Sequence, residues 1–563
     1  MSGQIAYARR ANSGARESTR GAHMRDHEIA AEELRLTRRQ VIARGAQGAL
    51  SLSAIGTLAA GAAADVARAA SETPVRGGTL KVGMITAGVS ETVNPAKSVN
   101  VSDLLRIAQL YDPLFTVGPD VKTLVPRLAL SAEPNKAATS WTLKLRDGVK
   151  WHDGKPFTAD DVVWTLKAWA NPSSFAHGQV AGLVDFNSVR KRGRLVVEIP
   201  LHRPTAQFPS VLTFNQQLIL QHGATSRQAN LHPVGTGPFK FSSFTPGQQS
   251  VFTRNANYWE SGKPYVDELV VNSAFTDETA RLNALLSGAI DVAPVLPPLV
   301  AKQISSGHQA VLLRSPSVVQ YWFLMRIDKG PFADVRVRQA MKLIADRPAL
   351  INGALAGYGT IANDLTGIDT QYYASDLPQR KQSIAEAKLL LKKAGQENFS
   401  FVLPTCNALP GFNPSATLFA QQAAKAGVKV NVQIVSPNTY YTPAGGFLKR
   451  PIGLDIGASF QSLTETYRTF FTASAPFNET WWGHQKGGAA AWRLLNQAMA
   501  TTDPAKAKDL WHEVQRQQFN QGGVLGWANS DDLAAVAPKV HGVRTSLAGY
   551  LDYFRLNNAW LSA

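Results

Sequence analysis

The 563-residue chain contains a single cysteine, Cys406, so it cannot form an internal disulfide bond. One thiol also excludes zinc sites and iron–sulfur clusters that are built from several cysteines. Beyond the N-terminal region there is no uninterrupted apolar run of about 18 residues, which excludes a transmembrane helix in the body of the chain. Internal repeats and Gly/Ser-rich or Pro-rich linkers are missing too, which excludes solenoids, propellers and loosely tethered domains.

Blocks of like charge are also missing, although the formal net charge is +17. Lysine and arginine are spread singly from Lys81 to Arg555, whereas nucleic-acid-binding proteins concentrate them in a patch or stripe. We therefore interpret the charge as a solvated basic surface and predict no nucleic-acid partner. The 44% of hydrophobic residues indicates a globular chain, and its length predicts at least two lobes.

The sequence shows no catalytic constellation. It has no Gly-x-Ser-x-Gly elbow and no Gly-x-Gly-x-x-Gly fingerprint after a strand. The segment 148–155 lacks the spacing of a phosphate-binding loop, and His512-Glu513 has Arg516 where a metalloprotease has its second histidine. Cys406 is interpreted as a packed small hydrophobe, and the eleven histidines show no pair at metal-ligand spacing. These absences favour a binding protein over an enzyme, without a metal or cofactor.

The first 69 residues differ from the rest of the chain. An Arg-rich polar start is followed by the pair Arg38-Arg39, an Ala/Gly-rich apolar stretch at 45–64, and the small-x-small site Ala67-Arg68-Ala69. This order is typical of a secretory signal peptide, and the adjacent arginines resemble a twin-arginine signal. We predict a signal peptide at 1–69 and a periplasmic protein that is not a lipoprotein, since no cysteine lies near the cleavage site. An uncleaved anchor and a start at Met24 are the alternatives.

Short strands and capped helices alternate through the remainder of the chain. Trp141, Leu143 and Leu145 alternate with polar residues, which predicts a strand with one buried face. Thr158 with Asp161 three residues later predicts a capping box at a helix start. Further helices are predicted to begin near Thr276 or Asp277 and at Asp334, Ser383 and Asp503. The pattern predicts an α/β fold.

Several segments, in order along the chain, resemble one known family. They are Gly77–Leu80, Tyr111–Phe115, Leu124–Ala129, Trp141–Leu166, Gly235–Phe239, Asn255–Trp259, Pro331–Ala340, Ala385–Gly395, Gly427–Val430 and Thr502–Leu510. Together they resemble the periplasmic solute-binding proteins of ABC importers, in the family 5 class that includes oligopeptide-, dipeptide- and nickel-binding members. The block Trp141–Leu166 is the most specific of them, and we interpret it as structural.

The resemblance implies a periplasmic-binding-protein-like α/β fold, in which two lobes joined by hinge-crossing strands close on a ligand and a subdomain is inserted in the first lobe. The expected divisions are 74–112, 230–318 and 525–563 for lobe one, 113–229 for the inserted subdomain, and 319–524 for lobe two. The resemblance also implies a monomer whose closed form is recognised by the permease subunits of an ABC transporter.

The family places ligand contacts in a few segments. Carried over to this sequence, they predict contacts from Val89, Ser90, Glu91, Tyr321, Trp322, Phe460, Gln461, Trp481 and Trp482. Peptide binders of the family carry a Trp and then an Asp in the third segment, where the Asp pairs with the ligand's α-amino group. Here Ser462-Leu463-Thr464 offers no carboxylate, and an unpaired buried ammonium is costly. Glu465 or Glu91 is the expected substitute. For Trp481 and Trp482, the alternative is that one is core and the other lies on the surface.

The leading hypothesis is an exported receptor that delivers a short peptide or related polar solute to an ABC importer. A non-peptide solute is the alternative on the same fold, for example an amino-acid derivative, an opine-like compound or an oligosaccharide. Nickel is disfavoured, since no residue pattern suggests a metal-chelate site. A chemosensory receptor and an exported enzyme are the hypotheses from other functional classes.

Overall fold

The computed structural model describes residues 73–307, 309–442, 446–457, 462–472, 475, 477–484 and 488–562. The predicted signal peptide at 1–69 lies outside the described residues. From Pro74 onward the chain forms one compact unit in which strands and helices alternate, as an α/β fold requires.

The largest sheet is mixed and runs through both lobes. Within the described residues its nine strands are, from one edge, β16 (Ile452–Gly457), β12 (Val311–Met325), β17 (Val524–Val536), β11 (Val292–Ala293), β1 (Thr79–Ile85), β10 (Glu268–Phe275), β9 (Gln249–Arg254) and β8 (Phe239–Thr245), with β13 (Gly359–Ile361) paired to β17. Strands β1 and β10 pair in parallel, whereas β12 and β17 are antiparallel.

The smaller sheets and the helices surround this sheet. One sheet has four strands, β4 (Ala129–Pro134), β5 (Ser140–Leu145), β6 (Arg190–Gly193) and β7 (Val196–Pro200). Three strand pairs complete the described sheets: β2 (Phe115–Val117) with β3 (Leu124–Pro126), β14 (Ser400–Thr405) with β15 (Lys429–Ile434), and β18 (Val540–His541) with β19 (Trp560–Leu561). The helices are α1 (Val101–Leu110), α2 (Ala159–Ala168), α3 (His177–Val180), α4 (Phe208–Val211), α5 (Ser226–Leu231), α6 (Glu278–Leu286), α7 (Pro298–Ser305), α8 (Val335–Ile344), α9 (Arg347–Ala354), α10 (Ile384–Lys393), α11 (Phe412–Ala424), α12 (Pro437–Tyr440), α13 (Leu463–Phe470), α14 (Gly488–Ala500) and α15 (Pro504–Gln521).

Strands β12 and β17 are long enough to belong to both lobes. Residues 311–316 of β12 pair with 531–536 of β17 beside β11, and residues 320–324 pair with 524–529 beside β16. The register shifts between these two stretches, at Pro316 and Gln320. The chain therefore crosses between the lobes along two hydrogen-bonded strands, which confirms the expected hinge-crossing strands.

Each part of the molecule has its own apolar core. One core packs β1, β10 and α1 against the C-terminal segment, a second lies around β5 and α2, and two more flank the lobe-two ends of β12 and β17. The second core is built from residues 114–219, which come from the segment predicted as the inserted subdomain. The domain divisions given above stay a prediction.

The local helix signals are confirmed. Thr158 and Asp161 form the capping box of α2, and the Asp277 side chain accepts a hydrogen bond from the third residue of α6. Asp334, Ser383 and Asp503 cap their helices in the same way. Each of these side chains satisfies N–H groups that have no partner inside the helix.

Segments that are far apart in the sequence meet around one buried carboxylate. Asp112 accepts hydrogen bonds from the Arg127 guanidinium at 2.8 Å and the Tyr258 hydroxyl at 3.1 Å. The Trp259 indole N–H and the Thr236 hydroxyl donate to its other oxygen, at 2.9 and 3.1 Å. Four of the family-like segments therefore form one network, which fastens the inserted part to lobe one.

Near the C-terminus, Tyr550–Phe554 adopts a left-handed turn. All five residues have φ between 50° and 56°, and none of them is glycine. For ordinary L-residues this region costs about 1–2 kcal/mol per residue. Such strain persists only where the surrounding structure compensates for it, and it concentrates at functional sites.

Candidate functional site

A cavity lies between the lobes beside the crossing strands β12 and β17. Its volume is about 80 Å³, and we call it the hinge cavity. Its walls come from both lobes and consist of Val295, Leu296, Pro298, Ser317, Val319, Tyr321, Leu355, Tyr358, Leu409, Pro410, Ile456, Ser530, Asp531, Asp532, Leu533, Gly549 and Tyr550. Mostly apolar walls with a few converging polar groups are the usual composition of a small-molecule site.

Tyr321, a predicted contact residue, lines the hinge cavity. Its ring packs edge-on against Phe412 and Trp527, with centroid distances of 5.9 and 5.3 Å, and only 6% of its surface is exposed. Among the described residues nothing is hydrogen-bonded to its hydroxyl, which belongs to a nearly buried side chain. A buried hydroxyl without a partner is costly, so this group is available to a ligand.

Two adjacent aspartates on β17 differ in their partners. Asp531 is paired with Arg314 at 2.6 Å. Asp532 is 6% exposed, and one of its oxygens accepts hydrogen bonds from the N–H groups of Leu551 at 3.0 Å and Ser546 at 3.4 Å. Burial raises the pKa of Asp532 to about 7, because it outweighs the two hydrogen bonds, which lower the pKa. The negative charges of Asp552 and Asp531 raise the pKa further.

Sequence reasoning missed Asp532. The available signal was an acidic pair followed at once by the apolar run Leu533–Val536, since buried charges need a partner or a function. It also missed Tyr550, which the left-handed turn places in the cavity wall. Burial and the nearby charge of Asp532 raise the pKa of Tyr550 to about 12.

Trp322, the second predicted contact on β12, packs in a different core from Tyr321. Its ring meets Phe470 and Phe471 at 5.0 and 6.3 Å, and its indole N–H donates to the side-chain oxygen of Gln320. It borders a second cavity of about 10 Å³ with Thr366 and Gly457. That space holds about one water molecule.

The loop after β1 holds its carboxylate among donors of the protein itself. Val89 is 95% exposed and Ser90 caps its own turn, whereas Glu91 is 4% exposed. The Glu91 oxygens accept from the Arg106 guanidinium at 2.8 Å and the Ala87 N–H at 3.0 Å, among other donors. Burial opposes the charge, but these donors hold the pKa of Glu91 below its usual range.

The ligand contact of Glu91 stays a prediction, and the structure gives this carboxylate partners inside the protein. Its oxygens are occupied by donors from within lobe one, including the Gly247 N–H and the Ser273 hydroxyl. Breaking a buried pair of this kind costs about 3–5 kcal/mol, so Glu91 stabilises the fold.

The two tryptophans after β16 separate into a core residue and a half-buried residue. Trp482 is 4% exposed and belongs to the apolar core of lobe two, as the alternative of one core tryptophan expects. Trp481 is half-buried, stacks on His484 at 4.0 Å between centroids, and lies 4.3 Å from the Arg326 guanidinium. Arg326 in turn binds Asp328 through two 2.7 Å contacts. Trp481 is absent from the walls of the hinge cavity.

Phe460 and Gln461, the predicted contacts of the third segment, lie outside the described residues. The description resumes at Ser462, whose hydroxyl caps α13. Glu465, the other expected partner for an ammonium, is 1% exposed on α13 and accepts a hydrogen bond from the Thr213 hydroxyl at 3.4 Å. This carboxyl therefore faces the inserted part of the molecule.

Helix α13 is bonded to the inserted part along its length, in what we call the closure interface. The Arg468 guanidinium donates to the carbonyl oxygens of Gln179 and Ala181, and the Thr469 hydroxyl donates to the Gln179 side chain at 3.0 Å. The hydroxyls of Ser462 and Ser210 lie 2.6 Å apart. These polar contacts join the predicted lobe two to the predicted inserted part.

In the part of the chain that the structure describes, no three histidine, cysteine or acidic side chains are grouped as a metal ion would require. The helices of that part are too short or too polar to cross a bilayer.

Comparison with known proteins supports the architecture. Residues 123–450 match the model of the bacterial extracellular solute-binding proteins, family 5. The glutathione-binding protein GsiB of Pectobacterium atrosepticum is 26% identical over 422 residues, 72% of this chain and 80% of that protein. The dipeptide-binding protein of Escherichia coli K12 is 25% identical over 468 residues, 77% of this chain and 86% of that protein.

A solved structure has the same fold. The periplasmic binding protein AgaA of A. tumefaciens R10, in complex with agropinic acid, superposes with a TM-score of 0.74 and 22% identity. The superposition covers 86% of this chain and 99% of that one. The expected periplasmic-binding-protein-like fold is thus confirmed.

Proposed function

The chain belongs to family 5 of the bacterial extracellular solute-binding proteins, and from this premise we propose that its solute is a short peptide or a closely related polar compound. The solute is held between the lobes, and the closed complex is delivered to the permease of an ABC importer. The observation that carries the proposal is the hinge cavity, whose walls come from both lobes. A solute in such a cavity contacts both lobes only when they are closed, so binding favours closure.

The chemistry of the cavity suits a small polar molecule with an apolar part. Leu355, Leu409 and Ile456 offer apolar surface, while Tyr321 and Asp532 offer polar groups that the fold itself leaves available. Two curated relatives carry the names of peptide ligands, glutathione and a dipeptide. Since the family consists of binding proteins, we propose that this chain catalyses no reaction.

Mass spectrometry tests the proposal directly. The mature protein is purified from the periplasm, and its native mass is compared with its denatured mass. We expect a difference of a few hundred daltons, on the order of two to four residues, and a released peptide that can be sequenced. The Arg468→Ala variant serves as the matched control, because it weakens the closure interface and is expected to retain less of the same solute. A chain that carries no solute, and that no peptide or polar solute stabilises against heat, would contradict the proposal.

A non-peptide solute is the second candidate, and a specific observation favours it. Ser462, Leu463 and Thr464 provide no carboxylate where peptide binders of the family are expected to carry one. The structural neighbour AgaA was solved with agropinic acid. An amino-acid derivative, an opine-like compound or an oligosaccharide released from the purified protein would decide for this candidate.

We also propose an export route and a solution state. Residues 1–69 act as a twin-arginine-type signal peptide, so the protein is periplasmic, carries no lipid anchor and works as a monomer. N-terminal sequencing of the periplasmic protein is expected to begin at Ala70, and replacing Arg38 and Arg39 by lysine is expected to block export. A chemosensory role on the same fold predicts, instead, normal solute uptake and loss of chemotaxis when the gene is deleted.

A further inference from the structure

Asp532 is a buried carboxyl group that forms no ion pair with any side chain in the described part of the chain. It is 6% exposed, and one oxygen accepts two backbone N–H groups while the other has no partner among the described residues. Buried carboxylates are normally paired with a cation, because an isolated charge in an apolar setting is strongly disfavoured.

The groups that face Asp532 make this lack of a cation more pronounced. Asp531, next along β17, is already neutralised by Arg314 at 2.6 Å, and Asp552 is paired with Arg544 at 2.9 Å. Tyr550 lines the same cavity from the left-handed turn, and burial together with the negative charge of Asp532 raises the pKa of its phenol. The three described arginines beside this group, Arg314, Arg544 and Arg555, are thus paired with the other two aspartates, and the hinge cavity is left with an acidic wall.

We propose that Asp532 is the counter-charge for an ammonium group of the bound solute, and that the hinge cavity is the pocket for that cationic group. The inference rests on the proposed function and deepens it, since it states which part of the solute enters the cavity. The carboxylate takes the place of the acid that Ser462–Thr464 does not provide. It comes from the crossing strand β17 rather than from the segment after β16.

The geometry of the cavity fits this group. A volume of about 80 Å³ holds on the order of five water molecules, which is room for an ammonium and the carbons next to it. An ammonium has three N–H donors. The second oxygen of Asp532 and the hydroxyl of Tyr321, neither of which has a hydrogen-bond partner among the described residues, supply two acceptors. Both side chains are 94% buried in the wall of the cavity.

Three dipeptides with blocked or free amines test the inference on the mature protein by calorimetry. Ala-Phe carries an α-ammonium, N-acetyl-Ala-Lys carries only a side-chain ammonium, and N-acetyl-Ala-Phe carries none. We expect the wild-type protein to bind one or both ammonium-bearing peptides about 30-fold or more tightly than N-acetyl-Ala-Phe, since losing one member of a buried charge pair has at least this effect. Which of the two binds identifies the source of the ammonium.

The decisive variant is Asp532→Asn. The amide oxygen keeps the two bonds from Leu551 and Ser546 and removes an uncompensated charge, so the unliganded variant is expected to unfold at a temperature no lower than the wild type. The advantage of the ammonium-bearing peptides is expected to fall to about threefold or less. Asp509→Asn, the same change at an exposed position on α15, is the matched control and is expected to leave all three affinities unchanged.

Distinct outcomes overturn the inference and the proposed function. The inference is wrong if Asp532→Asn retains the preference for an ammonium, or if neither ammonium-bearing peptide binds better than N-acetyl-Ala-Phe. Tight binding of N-acetyl-Ala-Phe alone would remove the inference and leave the proposed function intact. The proposed function itself fails only if no peptide or polar solute binds at all.

Discussion

His152 is expected to make the stability of the inserted part depend on pH in the acidic range. Its Nδ1 accepts a hydrogen bond from the Gly235 N–H at 3.1 Å, and its Nε2 lies 3.0 Å from the carbonyl oxygen of Gly237. A carbonyl only accepts, so Nε2 carries the proton and Nδ1 must stay unprotonated. Burial, together with the charge of Lys240, lowers the pKa of His152 from 6.5 to about 4.

The sign of the effect follows from proton counting. Between pH 6.5 and 4 the unfolded chain binds a proton at this position and the folded chain does not, so the free energy of unfolding falls as the pH falls. The stabilisation is fully present above pH 6.5. At about 1.4 kcal/mol per pH unit, the loss on going from pH 7.5 to 4.5 is about 2.5 kcal/mol.

The His152→Asn variant isolates this contribution. Asparagine keeps an acceptor for Gly235 but does not titrate, and it loses the bond to Gly237, which costs about 1 kcal/mol at pH 7.5. Urea unfolding at pH 7.5 and 4.5 is the measurement. Between pH 7.5 and 4.5 we expect the free energy of unfolding of the wild type to fall by about 2.5 kcal/mol more than that of the variant. The control His232→Asn, at an exposed position, is expected to show the same fall as the wild type. Equal losses for wild type and His152→Asn would refute the argument.

Three further changes have expected outcomes. Burial lowers the pKa of Lys342 to about 7, so between pH 7 and 10.5 the unfolded chain binds more protons than the folded chain and stability rises with pH. Urea unfolding of the wild type should therefore show a rise of about 3 kcal/mol in the free energy of unfolding between pH 7 and 9.5. The Lys342→Met variant should lack this rise. Arg468→Ala removes charged hydrogen bonds of the closure interface. Small-angle scattering should then show a larger radius of gyration, and calorimetry should show about tenfold weaker solute binding. The control Arg516→Ala should change neither quantity. Trp482→Ala should lower the free energy of unfolding by about 3–5 kcal/mol because it leaves a cavity in the core. Trp481→Ala should lower it by only about 1 kcal/mol, through the lost contact with Arg326. Equal losses for the two variants in urea unfolding would contradict this assignment.

The sequence predicted those features whose causes are local. The helix starts at Asp277, Asp334 and Ser383 depend on one side chain and the next three residues, so they are readable in a short window. The order of the family-like segments predicted the fold, and the crossing strands β12 and β17 followed from it. These predictions required no knowledge of which distant residues come into contact.

The candidate site was predicted less well, because its chemistry depends on distant contacts. Glu91 looked available in a loop, but Arg106, fifteen residues later in sequence, occupies it. Trp481 and Trp482 are adjacent in sequence, and only the packing of lobe two decides which one is buried. Asp532 could not be told from its paired neighbour Asp531, since the difference lies in the partner that each one has.

The position of β17 in the chain has a consequence for the order in which the molecule is completed. This strand lies between β12 and β11 in the centre of the largest sheet, yet it begins only at Val524. During synthesis every other strand of that sheet is made before β17. Until Val524–Val536 has been made, the edges of β12 and β11 that it pairs with therefore stay open, and unpaired edges promote aggregation. The late position of a central strand thus lengthens the time for which these two edges are exposed during synthesis.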